Sequence, residues 1–244
     1  MAPFPETYQY NCKGKACQAQ VFRANNSKRW IVILHGHGGS ENQIFQRPDH
    51  AIFPSLTRDA GYNLISPDLG GNSWLDKRAE RRLVSLVTLL GQDAETIILW
   101  GGSMGGTGAL IFSILHPQLI DGTVALCPAS DLGAYLNWLQ GKQEPILQEI
   151  RQTIIHRHGT DPGSFAKISF LENTHKYTKP LFISHAADDP IIPIVFTDRA
   201  ASRLANRENF SYVRQENGGH DGPLVFYRNT LALTFIENQL ARRN

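Results

Sequence analysis

The sequence predicts an α/β fold, a mostly parallel central sheet covered by helices on both faces with a small helical cap insertion. Three observations predict it. Short apolar runs alternate with longer amphipathic stretches along most of the 244 residues, the trace that parallel strands and their crossover helices leave in a chain. Helix-ending signals recur at the right places, with Gly61 and Gly91 after two such stretches and His116-Pro117 after a third. One segment alone, residues 131–179, breaks the rhythm by separating two strands far more widely than one crossover needs.

Taken in order, strands are expected near Ala19–Arg23, Trp30–Leu34, Asn63–Ser66, Thr96–Trp100, Thr123–Leu126, Leu181–Ser184 and Ser211–Gln215. Helices are expected near Phe53–Ala60, Asp76–Leu90, Met104–Leu115, Ile194–Asn206 and Pro223–Leu240. Within Asp131–Lys179, Leu132, Leu136 and Leu139 share one helical face, as do Ile146, Ile150 and Ile154. Pro145 suits a first helical turn and Gly159 an ending. Two short helices are therefore expected above the carboxyl ends of the strands, where ligands of α/β proteins bind, so the insertion is placed to act as a cap. The whole chain, 1–244, reads as one domain carrying this insertion, since a single core is normal at this length.

Composition narrows the function. Apolar residues make up 41% and charged residues 19%, as in globular proteins generally, and no stretch approaches the roughly 20 apolar residues that cross a bilayer. The start, Met-Ala-Pro-Phe-Pro-Glu, has neither a basic region nor an apolar core, so a cytoplasmic location is expected. A net charge of +2 without a basic block makes nucleic acid an unsuitable partner. The oligomeric state is not encoded in any pattern here. Cys12 and Cys17 flank a possible hairpin turn at Lys13-Gly14-Lys15, but in a cytosolic protein they and Cys127 are expected as reduced thiols.

The chemistry concentrates in Gly101-Gly102-Ser103-Met104-Gly105, between the apolar runs Thr96–Trp100 and Ala109–Phe112. A serine on a sharp strand-to-helix turn needs glycines two residues to either side, because strand and helix close tightly around it. Glycine-rich turns also cradle phosphates, yet the chain has no G-x-x-x-x-G-K-[ST] and no G-x-G-x-x-G with a following acidic residue. A serine nucleophile needs a base and a group to orient that base. Two later segments offer them: His185-Ala186-Ala187-Asp188-Asp189-Pro190 after one strand, and Asn217-Gly218-Gly219-His220-Asp221-Gly222 after the last.

These motifs, in the order Ser, Asp, His, resemble those of the α/β-hydrolase fold serine hydrolases, over nearly the whole chain. The resemblance implies Ser103 as nucleophile, His220 as base and Asp189 as acid, with Asp188 the alternative acid. The segment from His185 to Pro193 is similar to the family's H-G-x-x-D-x-x-V-P, with Ala186 in place of glycine. His35-Gly36-His37-Gly38-Gly39 is similar to the H-G-x-G-G loop that completes an oxyanion hole. By that similarity the backbone amides of His37 and Met104 would be the donors, with Gly38 the alternative and in either case beside the substrate. Asp68–Trp74 follows a strand and carries an aromatic, so Trp74 is expected to line the pocket, a purely structural turn being the other reading.

The resemblance implies a carboxylic-ester hydrolase working through an acyl-enzyme on a small-molecule ester, with no metal or organic cofactor. Two alternatives stand beside it. One is a peptidase of the prolyl oligopeptidase type acting on short peptides; the other is a ligand-binding protein that keeps the fold without catalysis. His35 and His185 are expected to fix their own loops, and a metal site at His156 and His158 is not expected.

Overall fold

A computed structural model describes residues 5–46, 52–222 and 226–242. Its eight strands are β1 (Glu6–Cys12), β2 (Lys15–Phe22), β3 (Arg29–Leu34), β4 (Asn63–Pro67), β5 (Thr96–Gly102), β6 (Gly122–Leu126), β7 (Leu181–Ala186) and β8 (Phe210–Gln215). The helices are α1 (Gln43–Gln46), α2 (Ile52–Asp59), α3 (Lys77–Leu90), α4 (Met104–Leu115), α5 (Leu132–Trp138), α6 (Pro145–His158), α7 (Pro162–Ile168), α8 (Phe170–Asn173), α9 (Val195–Leu204) and α10 (Phe226–Ala241). The strands form one sheet in the order β1-β2-β4-β3-β5-β6-β7-β8. β1, β2 and β4 pair antiparallel, and every pairing from β4 to β8 is parallel.

Strand alternation divides the core into two layers. Val32, Leu34, Leu99, Ala125 and Ile183 face α3, α4 and α9 in one cluster. Ile31, Ile33, Ile98, Trp100, Val124, Leu126 and Phe182 face α2 and α10 in the other. α4 runs through the first layer with residues 104–114 all buried, which is why its sequence carries no polar face.

The chain moves from β3 to β4 on one side and then returns to place β5 on the other side of β3. Loops leaving β3 and β5 therefore part toward opposite faces and open a crevice at the carboxyl edge, the usual ligand position in such sheets. Ladder register lines that edge up: Leu34 pairs with Gly101, Gly102 with Leu126, and Leu126 with Ser184. His35, Ser103 and Cys127 are thus delivered to one rim.

The expected strands and helices are present, with shifted bounds. The expected start of the last helix at Pro223 lies outside the described residues. β1 was not expected: its outer face is polar, so only Tyr8, Tyr10 and Cys12 alternate inward. Its hairpin turns on Lys13 (φ 50°) and Gly14 (φ 85°), both left-handed as a two-residue loop of this twist requires. All three cysteines are free and buried. Among the described residues no helix is long and apolar enough to cross a membrane.

Between β6 and β7 the chain forms four helices where two were expected, α5 to α8. The Asp161-Pro162 start of α7 is an N-cap with proline in the first turn, Asp161 accepting from Ser164 N at 2.8 Å. Leu132, Tyr135, Leu136, Leu147, Ile150, Ile154 and Phe165 from this segment join the core layer of α3, α4 and α9. The insertion thus packs on one named face of the sheet, and the other face belongs to α2 and α10.

Candidate active site

The elbow is built by close backbone contact. A Cβ on Gly105 would lie 2.1 Å from Leu34 O, and one on Gly101 would lie 2.3 Å from the Gly105 carbonyl; both glycines are obligatory for β5 and α4 to meet so tightly. Ser103 between them takes φ 55°, ψ −122°, a region costing of order 1–3 kcal/mol for a residue with a side chain. Surrounding bonds hold it there: Ser103 N donates to Leu126 O at 2.8 Å and Thr107 N to Ser103 O at 2.9 Å.

His220 brings its Nε2 to 2.8 Å from Ser103 Oγ and its Nδ1 to 2.7 Å from Asp189 Oδ2. The bonds dictate the tautomer: Nδ1–H donates to the carboxylate, and Nε2 accepts from the serine hydroxyl. Asp189 has a fully buried side chain whose other oxygen accepts from the amides of Ile191 at 2.8 Å and Ile192 at 2.9 Å. Burial alone raises a carboxyl pKa, but here hydrogen bonds from His185, His220 and the Ile192 amide, with the charge of His220, outweigh it and hold Asp189 well below the usual carboxylate range.

Asp188 is engaged elsewhere. Its carboxylate accepts from Gly219 N at 2.8 Å and Gly218 N at 3.2 Å, so it shapes the loop that carries His220. His185 is wholly buried, with Nε2 3.0 Å from Asp189 Oδ2 and 2.9 Å from Ile192 O, and Nδ1 2.7 Å from Thr197 Oγ1. It ties the acid to β7 and α9. The alanine at 186 leaves this turn closed, as Asp189 N still donates to Ala186 O at 3.3 Å.

The loop after β3 is held by side chains from outside it. Gly36 N donates to Gln43 Oε1 at 3.0 Å, and Gly38 N to Asn72 Oδ1 at 2.7 Å. Gly38 therefore has its amide committed to Asn72, which removes it as a donor to substrate. No group among the described residues accepts from the His37 amide, and Met104 N, in the first turn of α4, has no intrahelical acceptor. The His37 ring points the other way, taking a hydrogen bond from Trp74 Nε1 on its Nδ1 at 3.2 Å. On the far side its Nε2 lies 3.2 Å from Glu149 Oε1 of α6.

Trp74 does not reach the crevice. It is fully buried, sits at φ 48° behind the His37 loop, and its ring packs 5.8 Å from Tyr135. The loop before α3 is in turn tied to α6, with Arg157 donating to Asp76 Oδ2 at 3.1 Å and Gly70 O at 2.8 Å, and His158 Nε2 donating to Trp74 O at 3.1 Å.

Beside Ser103 opens a cavity of about 140 Å³, whose walls include Ile33, Ile44, Phe53, Trp100, Leu126 and His220. None of its described lining residues comes from 131–179, because that segment packs on the opposite core layer. Sequence reasoning missed this chamber, and it missed Gln43, Asn72 and Cys127. Cys127 follows β6 at φ 43°, with its Sγ among donor atoms of Asp189 and His220 that all lie within 4.8 Å of one another. These three are the one cluster among the described residues with metal-ligand spacing. Burial pushes the Cys127 thiol pKa up, away from the thiolate that a metal ligand requires, and the Asp189 and His220 donor atoms already bond each other.

The description "alpha/beta hydrolase fold" matches residues 29–164, from β3 through the elbow to α7. The chain belongs to the alpha/beta hydrolase fold family. No curated protein sequence matches it. Among solved structures, this alpha/beta hydrolase is similar to Est1E from Butyrivibrio proteoclasticus at 16% identity and TM-score 0.69, covering 96% of this chain and 98% of that one. It is similar to a puromycin hydrolase at 18% identity and TM-score 0.71, covering 98% of this chain but 38% of that one. An S-formylglutathione hydrolase from Agrobacterium tumefaciens matches at 13% identity and TM-score 0.70, covering 96% and 94%. At such identities the likeness is one of fold.

Proposed function

We propose that this alpha/beta hydrolase is a serine esterase that cleaves small carboxylic esters through an acyl-enzyme. The observation that carries the reading is the unbroken series Ser103 Oγ, His220 Nε2, His220 Nδ1, Asp189 Oδ2, joined at 2.8 and 2.7 Å. In the reaction His220 removes the Ser103 proton as Oγ attacks the ester carbonyl, and Asp189 stabilises the imidazolium that forms. The amides of His37 and Met104 take the oxyanion, each such donor contributing about 3 kcal/mol to the transition state. Collapse expels the alcohol, which takes its proton from His220. A water deprotonated by the same imidazole then attacks the acyl-enzyme, and Ser103 leaves with the proton returned.

We further propose that residues 131–179 belong to this single catalytic domain and serve as a clamp. Through Glu149, Arg157 and His158 of α6 they fix the His37 ring and the loop that holds Gly38.

A fluorophosphonate probe tests the reading. It is expected to label wild-type protein once, at Ser103, and to leave Ser103→Ala unlabelled. Folded wild-type protein that takes no label overturns the serine hydrolase assignment. Turnover of p-nitrophenyl butyrate set against proline p-nitroanilides separates esterase from peptidase.

A further inference from the structure

The chamber beside Ser103 has a size and a wall chemistry that select its occupant. At about 140 Å³ it is close to the ~150 Å³ of an apolar protein cavity that accepts benzene. Acetyl or ethyl groups leave most of that space unfilled, and a long alkyl chain runs beyond it through the open mouth into solvent.

The walls favour a flat apolar group. Phe53 and Trp100 both line the chamber and meet each other edge to face at 5.0 Å and 60°, so its inner wall is aromatic. Ile33, Ile44 and Leu126 supply aliphatic contact, and all five of these side chains belong to the core layer of α2 and α10. Ile52, at the start of α2, also lines the chamber and is 51% exposed. Gly36, His37, Ser103 and His220 line the same chamber. A group seated there is covalently adjacent to the carbonyl that Ser103 attacks.

We propose that this cavity binds one six-membered aromatic ring of the substrate, so that the preferred esters carry a single ring on the carbon next to the ester group. The inference rests on the serine esterase reading of the same site. The ring comes from the acyl side or from the alcohol side, and the shared chemistry is burial of one ring against Phe53 and Trp100. Burying a side chain of Phe size is worth on the order of 10- to 100-fold in kcat/KM over an ester without it.

A titrimetric assay free of chromogenic leaving groups tests it, using ethyl acetate, ethyl butyrate, ethyl decanoate, ethyl phenylacetate and benzyl acetate. Expected is a kcat/KM at least tenfold above ethyl acetate for one of the two ring esters, and above ethyl decanoate as well. Preference for ethyl phenylacetate assigns the ring to the acyl side, and preference for benzyl acetate to the alcohol side. In Ile44→Trp, which fills the cavity, the ratio of ring ester to ethyl acetate is expected to fall at least fivefold. Fluorophosphonate labelling of Ser103 with ethyl decanoate preferred, or with all five esters within threefold, overturns the ring proposal alone. Failure of the probe to label overturns the esterase reading and this inference with it.

Discussion

Asp189 Oδ2 lies 2.7 Å from His220 Nδ1, although 31 residues of chain separate the two. The neighbouring carboxylate at position 188 is turned toward backbone amides of the histidine loop instead. Adjacent acidic residues thereby receive different tasks, one beside the imidazole and one beneath its loop.

Asp189→Asn is expected to lower kcat by about 10⁴, because an amide in that position no longer fixes the Nδ1–H tautomer or stabilises the imidazolium. Asp188→Asn keeps an oxygen able to accept from Gly219 and is expected to cost less than tenfold. Steady-state ester hydrolysis by the two variants compares the positions directly, and equal losses would refute the assignment of the acid.

Gly105→Ala places a methyl 2.1 Å from Leu34 O, a contact that only movement of β3 or α4 relieves. The variant is expected to lose more than 3 kcal/mol in urea denaturation, or not to fold. Gly38→Ala meets no atom within 4 Å and pays only for its φ of +76°, about 1–2 kcal/mol. Were the two variants equally stable, close packing at the elbow would not explain the motif.

Asn72→Ala removes the acceptor of the Gly38 amide and leaves the proposed donors chemically intact. Loss of about 1 kcal/mol of loop organisation is expected to reduce kcat roughly five- to tenfold with little change in KM. An unchanged kcat would show that the loop holds its shape without Asn72.

His158, the last residue of α6, is half-buried, and desolvation lowers its pKa from the ordinary 6.5, the hydrogen bond to Trp74 O opposing only in part. A lowered histidine pKa means the unfolded chain binds more protons in the window between the two values. The contribution to stability is whole above pH 6.5 and is lost as pH falls through the lowered value. His35 is shifted in the same direction, again chiefly by burial. Tm measured from pH 7 downward is expected to drop, and His158→Asn to flatten part of that drop; an identical pH profile in the variant would contradict it.

Much of the fold was legible because its signals are local. An apolar run of Ile97, Ile98 and Leu99, an N-cap such as Asp76 accepting from Arg78 N and Ala79 N, or a glycine two residues from a serine expresses short-range sterics and hydrogen bonding. β1 was missed because an edge strand needs only one apolar face, and α7 and α8 because short helices leave little periodicity. The partners in the site are another matter. Ser103 and His220 are 117 residues apart, and Gly38 and Asn72 are 34 apart.

By itself the sequence determined the strand-to-helix elbow and the chain order of serine, acid and histidine, since backbone geometry at a tight turn admits few residue types. Tertiary structure alone decided that Gly38 commits its amide to Asn72 and that Trp74 is buried behind its loop. It also decided where the chamber opens. The insertion packs on the α3, α4 and α9 layer and the cavity lies on the α2 and α10 layer, a division set by strand alternation and long-range packing, which no local pattern carries.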